Sequence, residues 1–225
     1  NTNYDDMLKH LNKKTSIERI HPEGRKLSFE IADKINSLNL DGVYLLKESK
    51  RNYPYNNLLS HVLGYVGIDN QGLSGIELAY DEYLKGEDGS IKYYSDGFGK
   101  KLEKATVYNS PQSGMNVALT IDINIQQAIE NELDNVVTKY NPQQALIVVA
   151  NPKTGEIYGM SSRPNFNPNE YNKYDLETIN RNLPIFNTYE PGSTFKVISL
   201  ASSIQEKTIN LFEDKYFDSG SINVS

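Results

Sequence analysis

The sequence predicts an α+β fold in two domains, and three observations carry that expectation. The chain has 225 residues with 38% apolar content, enough for one large core or two modest ones, and the usual span of about 100–200 residues per domain favours two. Runs with helical spacing of apolar residues alternate with two stretches patterned as β-hairpins. A Ser-, Pro- and Gly-rich loop, "NSPQSG", separates patterned segments. The domain border is therefore expected near Pro111, giving domains 1–110 and 111–225.

Taken in order, residues 5–19 carry Leu8, Leu11 and Ile17, and residues 23–38 carry Leu27, Ile31 and Ile35, both at helical spacing. The Lys- and Arg-rich stretch from 9 to 26 reads as a solvated helix face. "GVYLLKE" reads as a strand and "NLLSHVLGYVG" as a helix ending in glycine-rich turns. In "GLSGIELAYDEYLKGEDG" glycines bracket a short helix with Ile76, Tyr80 and Leu84 four residues apart. "IKYYSDGFGKKLEKATVY" suggests a hairpin turning at Asp96-Gly97. Past the border, "NVALTID" reads as a strand leading to Asp122, which is expected to cap a helix with Ile125, Ile129 and Leu133 on one face. "ALIVVANPKTGEIYGMSS" is a hairpin whose first strand is continuously apolar, which predicts burial on both faces. A long polar loop from 163 to 189 follows.

Composition narrows the function. A net charge of −6 and a pI near 5.2 argue against nucleic acid as a partner, because phosphate binding needs a basic face. The absence of cysteine rules out zinc ribbons, thiol catalysis and disulfides. His10, His21 and His61 are scattered without ligand spacing, so no metal ligand is assigned, and no cofactor is expected. No apolar run approaches the roughly 18–20 residues that span a bilayer. "NTNYDD" lacks a start methionine and "DSGSINVS" stops inside an alternating pattern, so a fragment is expected, with any anchor or further domains outside it.

The chemistry concentrates in "YEPGSTFKVISLA", residues 189–201, where Ser193 precedes Lys196 by three. That is close to one helical turn, which allows hydroxyl and amine to share a face. A serine hydroxyl becomes a nucleophile when a base accepts its proton, and a lysine can be that base when desolvation and the positive helix end hold it neutral. The N–H groups of the helix start can hold an oxyanion, and Gly192 permits close approach. Chance alone supplies about 1.5 Ser-x-x-Lys pairs at this composition, and one occurs. Ser193 can equally be read as an N-cap. Context separates the two readings: Glu-Pro-Gly precedes the serine, and Phe195, Val197, Ile198, Leu200 and Ala201 spread apolar residues around the helix, which predicts burial at a domain centre.

"YEPGSTFK" resembles the first active-site motif of class B penicillin-binding proteins, D,D-transpeptidases acylated by β-lactams. "LTIDINIQQAIENEL" and "ALIVVANPKTGEIYGMSSRPNFNPNEY" resemble the opening of that family's transpeptidase domain. "RNYP" at 51–54 and "GLSGIELAYDEYLKGEDG" at 72–89 resemble its amino-terminal pedestal, so the resemblance covers nearly the whole chain. It implies an α+β architecture, a mixed pedestal followed by the amino-terminal part of a serine β-lactamase-like transpeptidase domain. It also implies that Ser193 is the acylated nucleophile and Lys196 its base, and that Arg51 and Glu77 are structural. The glycine expected after "RNYP" is replaced by Asn56-Asn57, which puts the local turn in question. The Asn- and Lys-rich composition suggests a low-GC source, and within the resemblance a sporulation-specific member is the expected subtype.

Two letter matches to the family's other motifs are read as structural. Lys153-Thr154-Gly155 precedes the serine and sits at a hairpin turn, and Ser221-Ile222-Asn223 follows it too closely and alternates like a strand. The second and third motifs are expected beyond residue 225, so the chain alone is expected not to cross-link peptides. What the resemblance implies for the parent is a membrane-anchored enzyme on the extracytoplasmic face, acting on D-Ala-D-Ala stem peptides and inhibited by β-lactams. A second reading is an interaction module that docks a membrane glycosyltransferase of the shape, elongation, division and sporulation type, or a second copy of itself as a homodimer. A third, a β-lactamase or β-lactam sensor, leaves the pedestal motifs unexplained.

Overall fold

Polar caps and left-handed residues decide where the amino-terminal helices start and stop. The computed structural model describes residues 3–95, 101–215, 217, 218 and 220. Helix α1 covers Tyr4–Leu11, where Asn3 accepts the Asp5 N–H, and α2 covers Phe29–Ser37, where Ser28 accepts the Ile31 N–H. Both are shorter than the expected 5–19 and 23–38. After Leu11 the chain turns, and Glu18 comes back to His10 Nδ1 at 2.7 Å and to Lys13, spacings that are not neighbours on a helix surface. Ahead of α2, Lys26 holds φ at 51°, which a right-handed helix cannot include.

"GVYLLKE" forms no regular element. Its period-two pattern survives as exposure, with Val43 at 43% and Leu45 at 37% against Tyr44 at 86% and Leu46 at 83%. Among the described residues no neighbouring strand pairs with it, and a strand is defined by its ladder. The helix expected over "NLLSHVLGYVG" is a single turn, α3 at Ser60–Leu63, because Leu59 before it and Gly64 after it both hold positive φ, 59° and 77°. Gly64 has no alternative: a Cβ there would lie 1.9 Å from the Ser74 carbonyl oxygen. The helix after Gly72 breaks at Tyr80 (φ −118°) into α4, Gly75–Ala79, and α5, Asp81–Leu84.

The first hairpin forms as expected. Strand β1, Ser90–Ser95, runs antiparallel to β2, Lys101–Asn109, from Ser90 opposite Asn109 to Ser95 opposite Lys101. Its expected turn at Asp96-Gly97 lies outside the described residues. "NVALTID" is extended but makes no ladder: Thr120 Oγ1 donates to the Ile157 carbonyl at 2.7 Å and Asp122 N–H to the Tyr158 carbonyl at 2.9 Å. Asp122 then caps α6, Ile123–Tyr140, accepting the Asn124 and Ile125 N–H groups. Ile129 and Leu133 are buried on the face that the sequence predicted.

Strands β3, Ala145–Ala150, and β4, Ile157–Arg163, form the second hairpin. Burial on both faces of β3 is not found: exposure alternates, leaving Leu146 and Val148 open while the other face packs toward α6. The segment 163–186 is a corrected expectation too. It folds into a 3-10 helix over Pro168–Lys173, then α7, Leu176–Asn180, and α8, Leu183–Phe186. Aromatic residues among its polar ones drive this, since Phe166 is fully buried and packs with Ile179, Tyr171, Tyr174 and Tyr65.

The chain gathers into two compact units, Asn1–Phe186 and Asn187–Ser225. The expected border near Pro111 falls inside the first. Within the second, a 3-10 turn over Gly192–Phe195 leads into α9, Lys196–Gln205. Among the described residues no helix is long and apolar enough to cross a membrane.

Candidate active site

The turn before α9 is shaped by Pro191 and Gly192. Pro191 is already in the helical region (φ −71°, ψ −20°) and serves as N-cap of the 3-10 turn. Gly192 follows at φ +54°, with open space among the described residues where a Cβ would point, a conformation suited to glycine. Thr194 N–H donates to the Pro191 carbonyl at 3.2 Å and its hydroxyl to the same oxygen, while Lys196 N–H points at the Ser193 and Thr194 carbonyls. Ser193 therefore lies inside the turn and is not an N-cap. Lys196 opens α9 one turn later, on the same continuous helix.

The surroundings differ from the expectation. All residues from 190 to 200 are exposed, Val197 at 72% and Ile198 at 57% among them, so α9 is not buried within its own unit. Its apolar residues spread around the helix, and among the described residues of this unit none covers them. Ser193 and Lys196 are brought one turn apart, but the described residues of the second unit form no closed cleft around them.

Lys153-Thr154-Gly155 is a hairpin turn, as read from the sequence. Gly155 holds φ at +79°, its N–H donates to the Asn151 carbonyl at 2.8 Å, and Lys153 N–H is held by Asn151 Oδ1 at 3.0 Å. Ser221-Ile222-Asn223 lies outside the described residues.

Arg51, Tyr53 and Glu77 form a linked set in the first unit. Arg51 Nε donates to Glu77 Oε1 at 2.6 Å, and the Tyr53 hydroxyl donates to the same oxygen at 3.2 Å. Burial, then the nearby Glu77 carboxylate, push the Tyr53 phenol well above its ordinary range. Asn56 sits at φ 51°, a left-handed conformation that asparagine adopts more readily than most residues.

Sequence reasoning missed the residues that tie "RNYP" and α3 to the rest of this unit. Asn169 grips the backbone of Tyr53. Glu130, buried in α6, accepts the Leu59 N–H at 3.2 Å and Gln126 Nε2 at 2.8 Å on one oxygen, and Arg163 Nη1 at 2.7 Å on the other. Arg163 also reaches Asp134 at 2.8 Å. Tyr65 donates to Asn180 at 3.0 Å and His61 Nε2 lies 2.8 Å from the Thr178 carbonyl. A signal existed: Gln126 and Glu130 fall on the same helical stripe as Ile129 and Leu133, where polar residues need partners.

The penicillin-binding protein dimerisation domain matches residues 2–119, and the penicillin-binding protein transpeptidase domain matches 145–224. Stage V sporulation protein D of Bacillus subtilis (strain 168) is 50% identical over 225 residues, all of this chain and 35% of its own length. The peptidoglycan D,D-transpeptidase FtsI of Escherichia coli (strain K12) is 32% identical over 82% of this chain and 31% of its own. The chain thus spans about a third of the curated relatives that it matches. Among solved structures, a peptidoglycan synthetase from Bifidobacterium adolescentis ATCC 15703 superposes with a TM-score of 0.69 at 25% identity, covering 88% of this chain and 36% of the other. Penicillin Binding Protein 2X from Streptococcus thermophilus shares the fold, with a TM-score of 0.58 at 24% identity over 92% of this chain and 32% of the other.

Proposed function

Since the chain belongs to the penicillin-binding protein family, with the α+β architecture of that family, we propose that the protein of which it forms part is a peptidoglycan D,D-transpeptidase. The observation that carries the reading is the continuous helical run in which Ser193 precedes Lys196 by one turn. Ser193 Oγ attacks the carbonyl of the penultimate D-Ala of a stem peptide while the Lys196 amine takes its proton. The terminal D-Ala leaves as an amine, carrying the proton back from Lys196, and the peptide stays as an ester on Ser193. An amine of a neighbouring stem then attacks the ester, forming the cross-link and restoring the hydroxyl. A β-lactam enters by the same attack and its opened ring stays on the serine.

Residues 1–110 are proposed as the pedestal and 111–225 as the amino-terminal portion of the transpeptidase domain. Sporulation is the proposed setting, supported by the 50% identity to a stage V sporulation protein. The parent is read as membrane-anchored on the extracytoplasmic face, with the pedestal meeting a membrane glycosyltransferase or a second copy of itself; the dimerisation domain match over 2–119 supports the pedestal's docking role. The paired matches favour this over a β-lactamase.

The test is release of D-Ala from a D-Ala-D-Ala stem peptide by the whole protein. Ser193→Ala abolishes release, and Lys196→Arg is not an adequate replacement because a guanidinium does not give up its proton. Undiminished release by Ser193→Ala overturns the assignment.

A further inference from the structure

His61, in α3, is only 7% exposed, and each of its ring nitrogens faces a different element. Nε2 lies 2.8 Å from the Thr178 carbonyl of α7. A carbonyl only accepts, so Nε2 carries the hydrogen, and in the neutral ring Nδ1 is left as the acceptor. Nδ1 faces the fully buried Ser162 Oγ of β4 at 3.4 Å. The Phe166 ring meets the imidazole edge-on, centroids 5.1 Å apart. One neutral side chain thus fastens α3 to two elements more than a hundred residues away in sequence.

A second proton would leave Nε2–H donating to the Thr178 carbonyl, a bond that favours the charged ring, and would change the role of Nδ1. Nδ1 would become a donor, and Ser162, whose bonding partner among the described residues is that nitrogen, would have to turn its own hydrogen away from the acceptor it had. The new charge would face Glu130 of α6, which favours it, and Arg163 of β4, which opposes it. Arg163 is itself engaged with Asp134 of α6, and on α7 Asp175 is taken up by the Thr178 N–H and hydroxyl. Burial is the largest influence and holds the imidazole below its ordinary range.

We propose that His61 is a proton-sensitive bolt: neutral, it fastens α3 to β4 and α7, and in mild acid a second proton, on the nitrogen that faces the buried Ser162 hydroxyl, weakens its hold on β4 while Thr178 stays bound, loosening the seat of residues 53–65 on the rest of their unit. The direction follows from linkage. The folded state resists a proton that the unfolded chain accepts at about pH 6.5, so the contribution is complete above that pH and is lost as pH falls from there toward the lower folded-state value. For one proton the folding equilibrium constant changes by at most about tenfold per pH unit.

Urea unfolding of the 225-residue chain and of His61→Gln, from about pH 8 to about pH 5, tests the bolt. Gln keeps a donor for Thr178 and does not titrate in this range. The expected result is an acid-side loss of stability in the chain that exceeds the loss in the variant, approaching about tenfold per pH unit; parallel pH curves overturn the proposal. Should the variant not fold, imidazole nitrogen NMR of the unaltered chain decides it. An Nε2–H tautomer that persists below about pH 6, with Leu59 and α3 amide exchange quickening as the ring protonates, supports the bolt. An Nδ1–H tautomer, ordinary titration, or protonation without faster exchange overturns it.

Discussion

Asn169 holds Tyr53 by both polar groups of its peptide backbone: its Nδ2 donates to the Tyr53 carbonyl at 2.8 Å and its Oδ1 accepts the Tyr53 N–H at 3.0 Å. A side-chain amide here does what a paired strand would do. Asn169→Ala leaves both backbone groups without that partner and is expected to cost about 1–3 kcal/mol of stability. Asn169→Asp keeps the acceptor and loses the donor, so urea unfolding should place it between the chain and the alanine variant. Equal stability of all three would remove the clamp from the account.

Among the described residues Arg163 and Glu130 make the most enclosed ion pair of this unit, with side chains 10% and 7% exposed. Removing one partner strands the other charge, so Arg163→Ala is expected to lose about 3–5 kcal/mol. Adding Glu130→Gln to that variant should recover part of the loss, because the glutamine Oε1 still accepts the Leu59 N–H while no charge remains buried. A double-mutant cycle in urea measures the coupling; additive effects would mean that the pair is not coupled.

Two left-handed positions near α3, Asn56 and Gly64, should differ in what they tolerate. Asn56, at φ 51°, tolerates Asn56→Gly with little change, whereas Asn56→Ala loses about 1–2 kcal/mol. Gly64→Ala is worse, since backbone strain adds to a Cβ 1.9 Å from the Ser74 carbonyl oxygen. Thermal unfolding orders the three, and a stable Gly64→Ala would contradict the packing described for that turn.

Local signals were legible in the sequence where local chemistry decides. The Asp122 cap, the α6 stripe and both hairpins depend on spacing and capping within a few residues. The sequence reading failed where a partner elsewhere in the chain decides, or where one is missing. "GVYLLKE" has strand periodicity but finds no neighbour among the described residues, and β3 is apolar throughout yet covered on one face. Composition hid the order of residues 163–186, because their polar letters outnumber the aromatic residues that build the cluster around Phe166. At the candidate site, the turn placing Ser193 before Lys196 was readable, while the exposure of α9 was not. Apolar residues around a helix tell that it can be buried, not which surface covers it.

The central claim is that Ser193 is the residue that becomes acylated. Benzylpenicillin treatment of the whole protein, followed by trypsin and mass mapping, tests it directly, because cleavage after Arg181 and Lys196 isolates residues 182–196 with Ser193 as their serine. The account predicts a penicilloyl group on that peptide at Ser193 and its absence after prior denaturation. A penicilloyl group at another residue, or an unmodified 182–196 peptide from a folded, D-Ala-releasing protein, would contradict it.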